Sequence, residues 1–447
     1  MSDAHTLTEQ EAIEICETAL QASTADQTEV LISSGDSALT RFANNHIHQN
    51  VASFSAELQV RAVFGKRIAV ASGSALSDEL VKDVVERACE LAKLAEPTED
   101  FVSLPDVEPV EHDLSGVQAT TDCGPDDRAE AVATVIDTAE SRDQTAAGAF
   151  SITSGAYAVA NSLGARAFQA TTEANLRAVL SGEDSSGFAQ GIAADVADID
   201  ASQIGQTAAD KCTQSAAPQE IEPGQYDVIL EPEAVADMVQ FLGWTTFNAL
   251  AYQEGRSPFS GRMGEQVCGE NITITDDGLD PRGQQLAFDF EGVPKQALTL
   301  IDGGTAANVV YDSYTAGREE GRQSTGHALP APNTWGPMPI NQFVQPGDAT
   351  VEEMIAEIDR GLLVTRFHYT NVVSPKQSVL TGMTRDGTFM IEDGEIVGGI
   401  KNLRFTESIL EAFSRVAAIG AEGKLCGRVW APAMLIRDFN FSGATEF

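Results

Sequence analysis

Positive charge is scarce in this sequence. Its 447 residues contain 67 Asp and Glu but only 28 Lys and Arg, and the formal net charge is −39. Such an excess of negative charge repels a phosphate backbone, so we expect no direct contact with nucleic acid. An acidic, lysine-poor composition is typical of proteins in a salt-rich cytoplasm, where screening weakens self-repulsion. We therefore expect a halophilic host, with an ordinary acidic cytosolic protein as the alternative.

Paired cysteines, long apolar runs and a signal sequence are also lacking. The six cysteines are scattered, with no CxxC pair and no disulfide-like spacing. No apolar run approaches the roughly 20 residues that cross a bilayer. The first residues lack the basic flank and apolar core of a signal peptide. We expect a soluble, cytoplasmic protein with no membrane association.

Hydrophobic periodicity predicts an α+β fold at the N-terminus. Thr8 and Glu11 form a capping-box pattern ahead of apolar residues at helical spacing. Alternating apolar and polar residues over 56–64 predict a strand, and a helix follows over roughly 77–94. We predict an N-terminal α+β domain over residues 1–95 and a Pro-, Asp- and Thr-rich linker or crossover over 96–124.

The same pattern begins again after the crossover. A helix near 126–141 precedes predicted strands within 156–179. Two short sequence matches recur at an offset of 116 to 117 residues, one beginning at Arg41 and one at Glu57. We predict a middle α+β domain over residues 125–216 that arose with the first by internal duplication.

Short β runs punctuated by glycine dominate the rest of the chain. Helices are predicted only over 232–252, 351–360 and 406–419. We therefore predict a β-rich, barrel-like C-terminal domain over residues 225–447. The predicted fold class is α+β, with an N-terminal α/β region followed by this β-rich domain.

Several phrases along the chain resemble one known family. They are Phe42-Ala-Asn-Asn-His-Ile-His-Gln49, Phe288-Asp-Phe-Glu-Gly292-Val-Pro294, Leu300-Ile-Asp-Gly303 and Ser324-Thr-Gly326. In their order and spacing the sequence resembles the TldD/PmbA family of heterodimeric protease subunits, peptidase family U62, also labelled modulators of DNA gyrase. With the acidic composition, the resemblance adds the expectation of a haloarchaeal source.

The resemblance implies a subunit without the metal-binding helix. Active TldD-type subunits carry a His-Glu-x-x-x-His helix that binds zinc. Aligning the glycine of that motif with Gly243 places Val239, Gln240 and Trp244 where His, Glu and His would stand. The chain therefore resembles a TldE/PmbA-type subunit, with no cofactor of its own. Such a subunit pairs with a TldD-type paralogue or with itself as a dimer, and the complete protease acts on peptides or unfolded proteins.

A second set of residues keeps a zinc alternative open. Two imidazoles and a thiolate, His327, His368 and Cys426, suit a zinc ion with an open fourth position. The opposing interpretation is two hydrogen-bonded structural histidines and a buried cysteine. Asp276-Asp277-Gly278 indicates an ordinary turn rather than an ion site. The alternative functions are thus a stand-alone zinc peptidase and a non-catalytic peptide-binding scaffold.

One predicted strand carries candidate peptide-binding residues. The run from Arg360 to Tyr369 mixes charged, aromatic and imidazole groups. Arg366 and Tyr369 are the candidates, because an edge strand can pair with an extended peptide. The alternative is a core strand with polar residues on its outer face.

Overall fold

The first half of the chain forms one six-stranded antiparallel sheet. The computed structural model describes residues 6–74 and 76–445; the ends of the predicted domains at 1–5 and 446–447, and residue 75, lie outside the described residues. The strands are β1 (Gln27–Ala43), β2 (His46–Phe64), β3 (Arg67–Gly73), β4 (Thr145–Asn161), β5 (Arg166–Ser181) and β6 (Ser186–Ala193). The helices are α1 (Glu9–Ala22), α2 (Asp78–Leu94), α3 (Gln118–Thr121), α4 (Pro125–Glu140) and α5 (Ala201–Gln214). The strand order is β3-β2-β1-β4-β5-β6.

The element order helix, three strands, helix occurs twice in this half of the chain, as the predicted duplication requires. The first copy is α1-β1-β2-β3-α2, and the second is α4-β4-β5-β6-α5. Each pair of helices covers its own apolar cluster, one around Leu58 and Ala88 and one around Leu176 and Val135. Because β1 pairs with β4, the two copies share one continuous sheet. The domain limits themselves stay a prediction.

Local sequence explains how α1 begins and which face it buries. The Thr8 main-chain N–H donates to Glu11 Oε2 (2.9 Å), and the Glu11 N–H donates to Thr8 Oγ1 (3.4 Å). This confirms the predicted capping box. Ala12, Cys16 and Ala19 follow at helical spacing and are fully buried against the sheet.

The second half is β-rich and contains a small closed ring of strands. Its strands are β7 (Gly224–Leu230), β8 (Ile274–Asp276), β9 (Leu298–Asp302), β10 (Thr305–Ala306), β11 (Gln342–Val344), β12 (Arg360–Ser374), β13 (Val379–Glu392), β14 (Glu395–Gly399), β15 (Leu403–Ser408), β16 (Val416–Cys426) and β17 (Val429–Ala444). The order β17-β15-β13-β12-β7 closes because β7 also pairs with β17. The other strands extend away from this ring, so the predicted barrel describes only part of the sheet.

Most helices of this half are short, and two sequence-based helices need correction. They are α6 (Pro232–Thr245), α7 (Ala249–Gln253), α8 (Ser313–Gly317), α9 (Val351–Ala356) and α10 (Ile409–Phe413). The predicted helix over 232–252 is divided into α6 and α7. The predicted helix over 406–419 is mostly wrong, because β15 and β16 pair there with β13 and β17 and leave one helical turn between them. Among the described residues no helix is long and apolar enough to cross a membrane.

A buried ionic cluster joins the two halves. Arg61 on β2 donates to Glu29 Oε2 on β1 (2.5 Å) and to Glu291 Oε1 in the loop between β8 and β9 (2.9 Å). The Ser313 N–H and hydroxyl also donate to Glu291 (3.0 and 2.7 Å). Burial raises the pKa of Glu29 to about 7. The cluster fixes the open face of the N-terminal sheet against the C-terminal half.

Candidate functional site

Helix α6 is the element that the resemblance equates with the metal-binding helix. It begins with Pro232 in its first turn, where the missing N–H costs nothing. Most of its surface is core, including Val235, Met238 and Leu242. The less buried residues Asp237, Gln240, Phe241 and Trp244 recur at helical spacing, so they lie on one face.

Strand β12 is bulged where it lies against this face. Its register with β13 shifts between His368 and Asn371. Tyr369, inside the bulge, has a φ of 51°, a left-handed conformation that is uncommon for an aromatic residue. The Thr370 hydroxyl donates to Asp237 Oδ2 (2.5 Å) and thereby ties the bulge to α6.

The two elements enclose a cleft of about 310 Å³, which we call the α6–β12 cleft. Its lining residues are Asp237, Gln240, Phe241, Trp244, Phe367, His368, Tyr369 and Thr370. Trp244 is 48% exposed and Tyr369 71% exposed, so two large aromatic faces are open to solvent. A small concave site with aromatic walls and a few polar groups can bind an apolar side chain and orient it.

The surroundings of the α6–β12 cleft shift the pKa values of two of its titratable groups, Asp237 and His368. Burial raises the pKa of Asp237, and the hydrogen bond from Thr370 partly offsets that rise. Partial desolvation lowers the pKa of His368, and the positive charges of Arg385 and Arg366 lower it further. Both shifts favour the uncharged forms of these two side chains.

The residues on α6 do not fit a zinc ion. Val239 is fully buried in the core and has no donor atom. Gln240 and Trp244 reach the cleft, but an indole N–H has no lone pair to give a metal. Over residues 6–74 and 76–445 there is no group of three or more His, Cys, Asp or Glu that could hold a metal ion.

His327 lies elsewhere, in a fully buried hydrogen-bond network. Its Nε2 is 2.8 Å from Asp276 Oδ1, and its Nδ1 is 2.9 Å from the Thr325 hydroxyl. The Asn341 N–H donates to Asp276 Oδ2 (2.9 Å). Burial and the charge of Lys295 lower the pKa of His327 against the opposing effect of Asp276, which favours the neutral imidazole. Both ring nitrogens are used within the protein, which leaves neither for a metal.

Cys426 lies beside the first turn of α6, at the end of β16. The ammonium of Lys424 is 2.6 Å from Glu233 Oε1 on that turn. Burial, reinforced by the Glu233 carboxylate, raises the pKa of Cys426, so the thiol stays protonated and is a poor ligand. His327, His368 and Cys426 thus form no candidate ligand group among the described residues, and the alternative zinc site that they suggested is not assembled there.

The two candidate peptide-binding residues differ in availability. Arg366 donates through Nε to Asp386 Oδ2 (2.9 Å), and its guanidinium lies 4.4 Å from the ring centre of Phe188 on β6. Arg366 therefore joins β12 to the N-terminal sheet. Tyr369 lines the α6–β12 cleft and is available to a ligand.

Sequence reasoning missed several residues of these sites. Asp237 and Phe241 could have been found, because they share the helical spacing of Gln240 and Trp244. Thr370 and Asp276 carry no such signal, since their partners lie 133 and 51 residues away.

Family models match two parts of the chain. Residues 28–92 match the PmbA/TldA metallopeptidase domain 1, and residues 223–443 match the PmbA/TldA metallopeptidase C-terminal domain. A metalloprotease of Methanothermobacter thermautotrophicus is 25% identical over 238 residues, 51% of each chain. A TldD homolog metalloprotease of Buchnera aphidicola is 28% identical over 211 residues, 43% of this chain and 42% of that one. The chain spans about half the length of the curated relatives it matches.

Solved structures share the whole fold. TldE from Thermococcus kodakarensis has a TM-score of 0.87 at 22% identity, covering 97% of this chain and 100% of that chain. A Thermotoga maritima protein described as a modulator of a DNA gyrase has a TM-score of 0.84 at 18% identity, covering 96% and 99%. At this level of identity the likeness establishes the fold.

Proposed function

Because the chain belongs to the PmbA/TldD metallopeptidase family, we propose that it is the subunit of a TldD/TldE-type metalloprotease that lacks the zinc helix. Its partner is a TldD-type paralogue that supplies the metal site, and the assembled enzyme acts on peptides or unfolded proteins. The main support for this proposal is the position of three residues on α6. Val239 is buried in the core, while Gln240 and Trp244 face the α6–β12 cleft. Self-association is the alternative form of the dimer.

The α6–β12 cleft supports a role in peptide handling. Trp244 and Tyr369 offer aromatic contact area, and Gln240 and His368 offer hydrogen-bonding groups beside it. This combination suits the apolar side chains that an unfolded protein exposes. The stand-alone zinc peptidase is disfavoured, because His327 has both ring nitrogens bonded and the Cys426 thiol is protonated.

The test is a reconstitution in high salt with a TldD-type subunit that carries the two-histidine helix. We expect no casein hydrolysis by this chain alone, and a rise of about tenfold or more over the TldD-type subunit alone when the two are mixed. Trp244→Ala should reduce that gain, whereas Trp335→Ala, an exposed tryptophan outside the cleft, should not.

The other outcomes separate the remaining functions. Hydrolysis by the isolated chain together with about one zinc per chain would establish the stand-alone peptidase. Peptide binding by this chain without any gain in hydrolysis when the two subunits are mixed would support the non-catalytic peptide-binding scaffold.

A further inference from the structure

A second, larger cleft lies between the N-terminal sheet and the C-terminal half. Its volume is about 870 Å³, and we call it the inter-half cleft. One wall is formed by residues 169–173 of β5 and the end of β6, and the other by the loop over 281–286 and the β16–β17 hairpin. A cavity of this size accommodates a ligand of several residues.

One positively charged side chain in the inter-half cleft is unpaired among the described residues. Arg428 lies in the hairpin turn between Cys426 and Val429 and is exposed, and its side chain makes no hydrogen bond or ion pair with any described residue. The other guanidinium, Arg282, donates to Asp280 and lies 4.7 Å from the ring centre of Trp430. Arg428 alone is therefore free to bind an anionic group.

The opposite wall carries negative charge. Glu173 on β5 faces the cleft, with Asp195 and Asp198 at the end of β6. Burial raises the pKa of Glu173, while Arg428 partly offsets the rise, so the two groups are electrostatically coupled across the cleft. Glu173 and Arg428 form no ion pair within 4.0 Å, and both side chains line the cleft.

Apolar surface completes the cleft on the side of Arg428. Trp430 and Leu425 follow and precede the turn that carries Arg428. The Trp430 ring packs closely on Gly423, where even a Cβ would be 2.6 Å from it, so the ring is held in place. A fixed aromatic ring beside a free guanidinium resembles a site for a carboxylate with an apolar group attached.

We propose that the inter-half cleft binds the C-terminal end of a peptide, with its carboxylate on the guanidinium of Arg428 and its last side chain against Trp430. The inference rests on the proposed handling of peptides. A planar guanidinium suits bidentate binding of a carboxylate. Glu173, Asp195 and Asp198 repel a second negative charge and accept hydrogen bonds from peptide N–H groups. They also disfavour phosphate, which carries more negative charge.

The test measures peptide binding by the isolated full-length chain, by calorimetry and tryptophan fluorescence. The probes are N-acetyl-Ala-Ala-Ala-Leu as the free acid, the same peptide as the C-terminal amide, and an amide with Glu in place of the third Ala. We expect the free acid to bind at least about tenfold more tightly than either amide.

Substitutions of Arg428 in the hairpin turn test whether its side chain binds the peptide carboxylate. Arg428→Gln should remove the preference for the free acid, and Arg428→Lys should retain only part of it, because it keeps the charge but loses the fork. Arg177→Gln is the matched control, since Arg177 is also exposed on β5 but does not line the cleft.

Four results would each overturn the proposal. The first two are equal binding of acid and amide and an unchanged preference in Arg428→Gln. The third is equal binding of the Glu-containing amide, which would indicate side-chain recognition, and the fourth is acetate competing as well as the peptide acid. The readout is independent of any TldD-type subunit, so it can succeed where the reconstitution fails, and the reverse.

Discussion

At the scale of single residues, His327 is an imidazole whose two ring nitrogens both make hydrogen bonds within the fold. Its Nε2–H points at a buried carboxylate, Asp276, which has one other hydrogen-bond donor among the described residues, the Asn341 N–H. The Thr325 hydroxyl occupies the other ring nitrogen. Such a network is stable only when every member is satisfied, because a buried carboxylate without its donor is costly.

We expect His327→Ala to lower the free energy of unfolding by about 3 kcal/mol, since it leaves Asp276 buried with one donor and opens a cavity. Urea unfolding in high salt measures the change. His48→Ala, an exposed histidine on β2, is the control and should change it by less than about 0.5 kcal/mol.

Metal content distinguishes this structural role from a ligand's role. Wild type, His327→Ala and His48→Ala should all contain the same low amount of zinc by mass spectrometry. A loss of stoichiometric zinc in His327→Ala alone would contradict the assignment.

Whether a residue can bind a metal could be predicted from sequence where its side-chain type alone decides this. Val239 and Trp244 cannot bind zinc in any fold, so that conclusion needed no coordinates. The partners of His327 and Cys426 could not be predicted, because nothing in sequence order places Asp276 or Glu233 beside them. Convergence of distant residues is a property of the tertiary fold.

At the scale of elements, sequence patterns correctly predicted the helices and strands that depend on local sequence alone. The capping box at Thr8 and the alternation over 56–64 both correspond to observed elements, α1 and β2. The segment 406–419 failed because its apolar residues fit a helix and a buried strand equally well. Pairing with β13 and β17, which both lie outside the segment, decided it.

A side-chain hydrogen bond from Thr370 to Asp237 links the bulge of β12 to α6, beside the apolar packing of the two elements. We expect Thr370→Val to lower the free energy of unfolding by about 1 to 2 kcal/mol. Without the donor the raised pKa of Asp237 rises further, so the loss should be larger at pH 8, where the carboxyl must ionise, than at pH 5.

Urea unfolding at both pH values checks this, with Thr145→Val as the control, because Thr145 is an exposed strand residue with no side-chain hydrogen bond to the described residues. An equal loss in the two variants, or a loss that is greater at pH 5, would show that the Thr370 bond does not stabilise the Asp237 carboxylate.

At the scale of the whole molecule, the two halves meet through more buried carboxylate than buried cation. Arg61 is shared by Glu29 and Glu291, and Asp289 lies close to Glu291. Burial raises the pKa of both Glu29 and Asp289 to about 7, and for Asp289 the nearby charge of Glu291 adds to the rise. Joining the halves therefore favours the protonated state of this cluster.

This arrangement sets the sign of a pH dependence. A carboxyl whose folded pKa lies above its unfolded value takes up a proton on folding. Its contribution to stability is fully present below about pH 4.5 and is lost as the pH rises through 7. For Glu29 alone the loss between pH 5 and pH 8 is about 2 to 3 kcal/mol. His327, with a lowered pKa, acts in the opposite direction below about pH 6.5.

Comparison with Glu29→Gln isolates the cluster, because the His327 contribution is common to both proteins. We expect the urea midpoint of the wild type to fall from pH 5 to pH 8 more steeply than that of Glu29→Gln. Glu57→Gln, an exposed carboxylate on the adjacent strand, should follow the wild type. If Glu29→Gln and wild type give parallel curves in high salt, the cluster is ionised throughout, and its single arginine suffices to hold the two halves together.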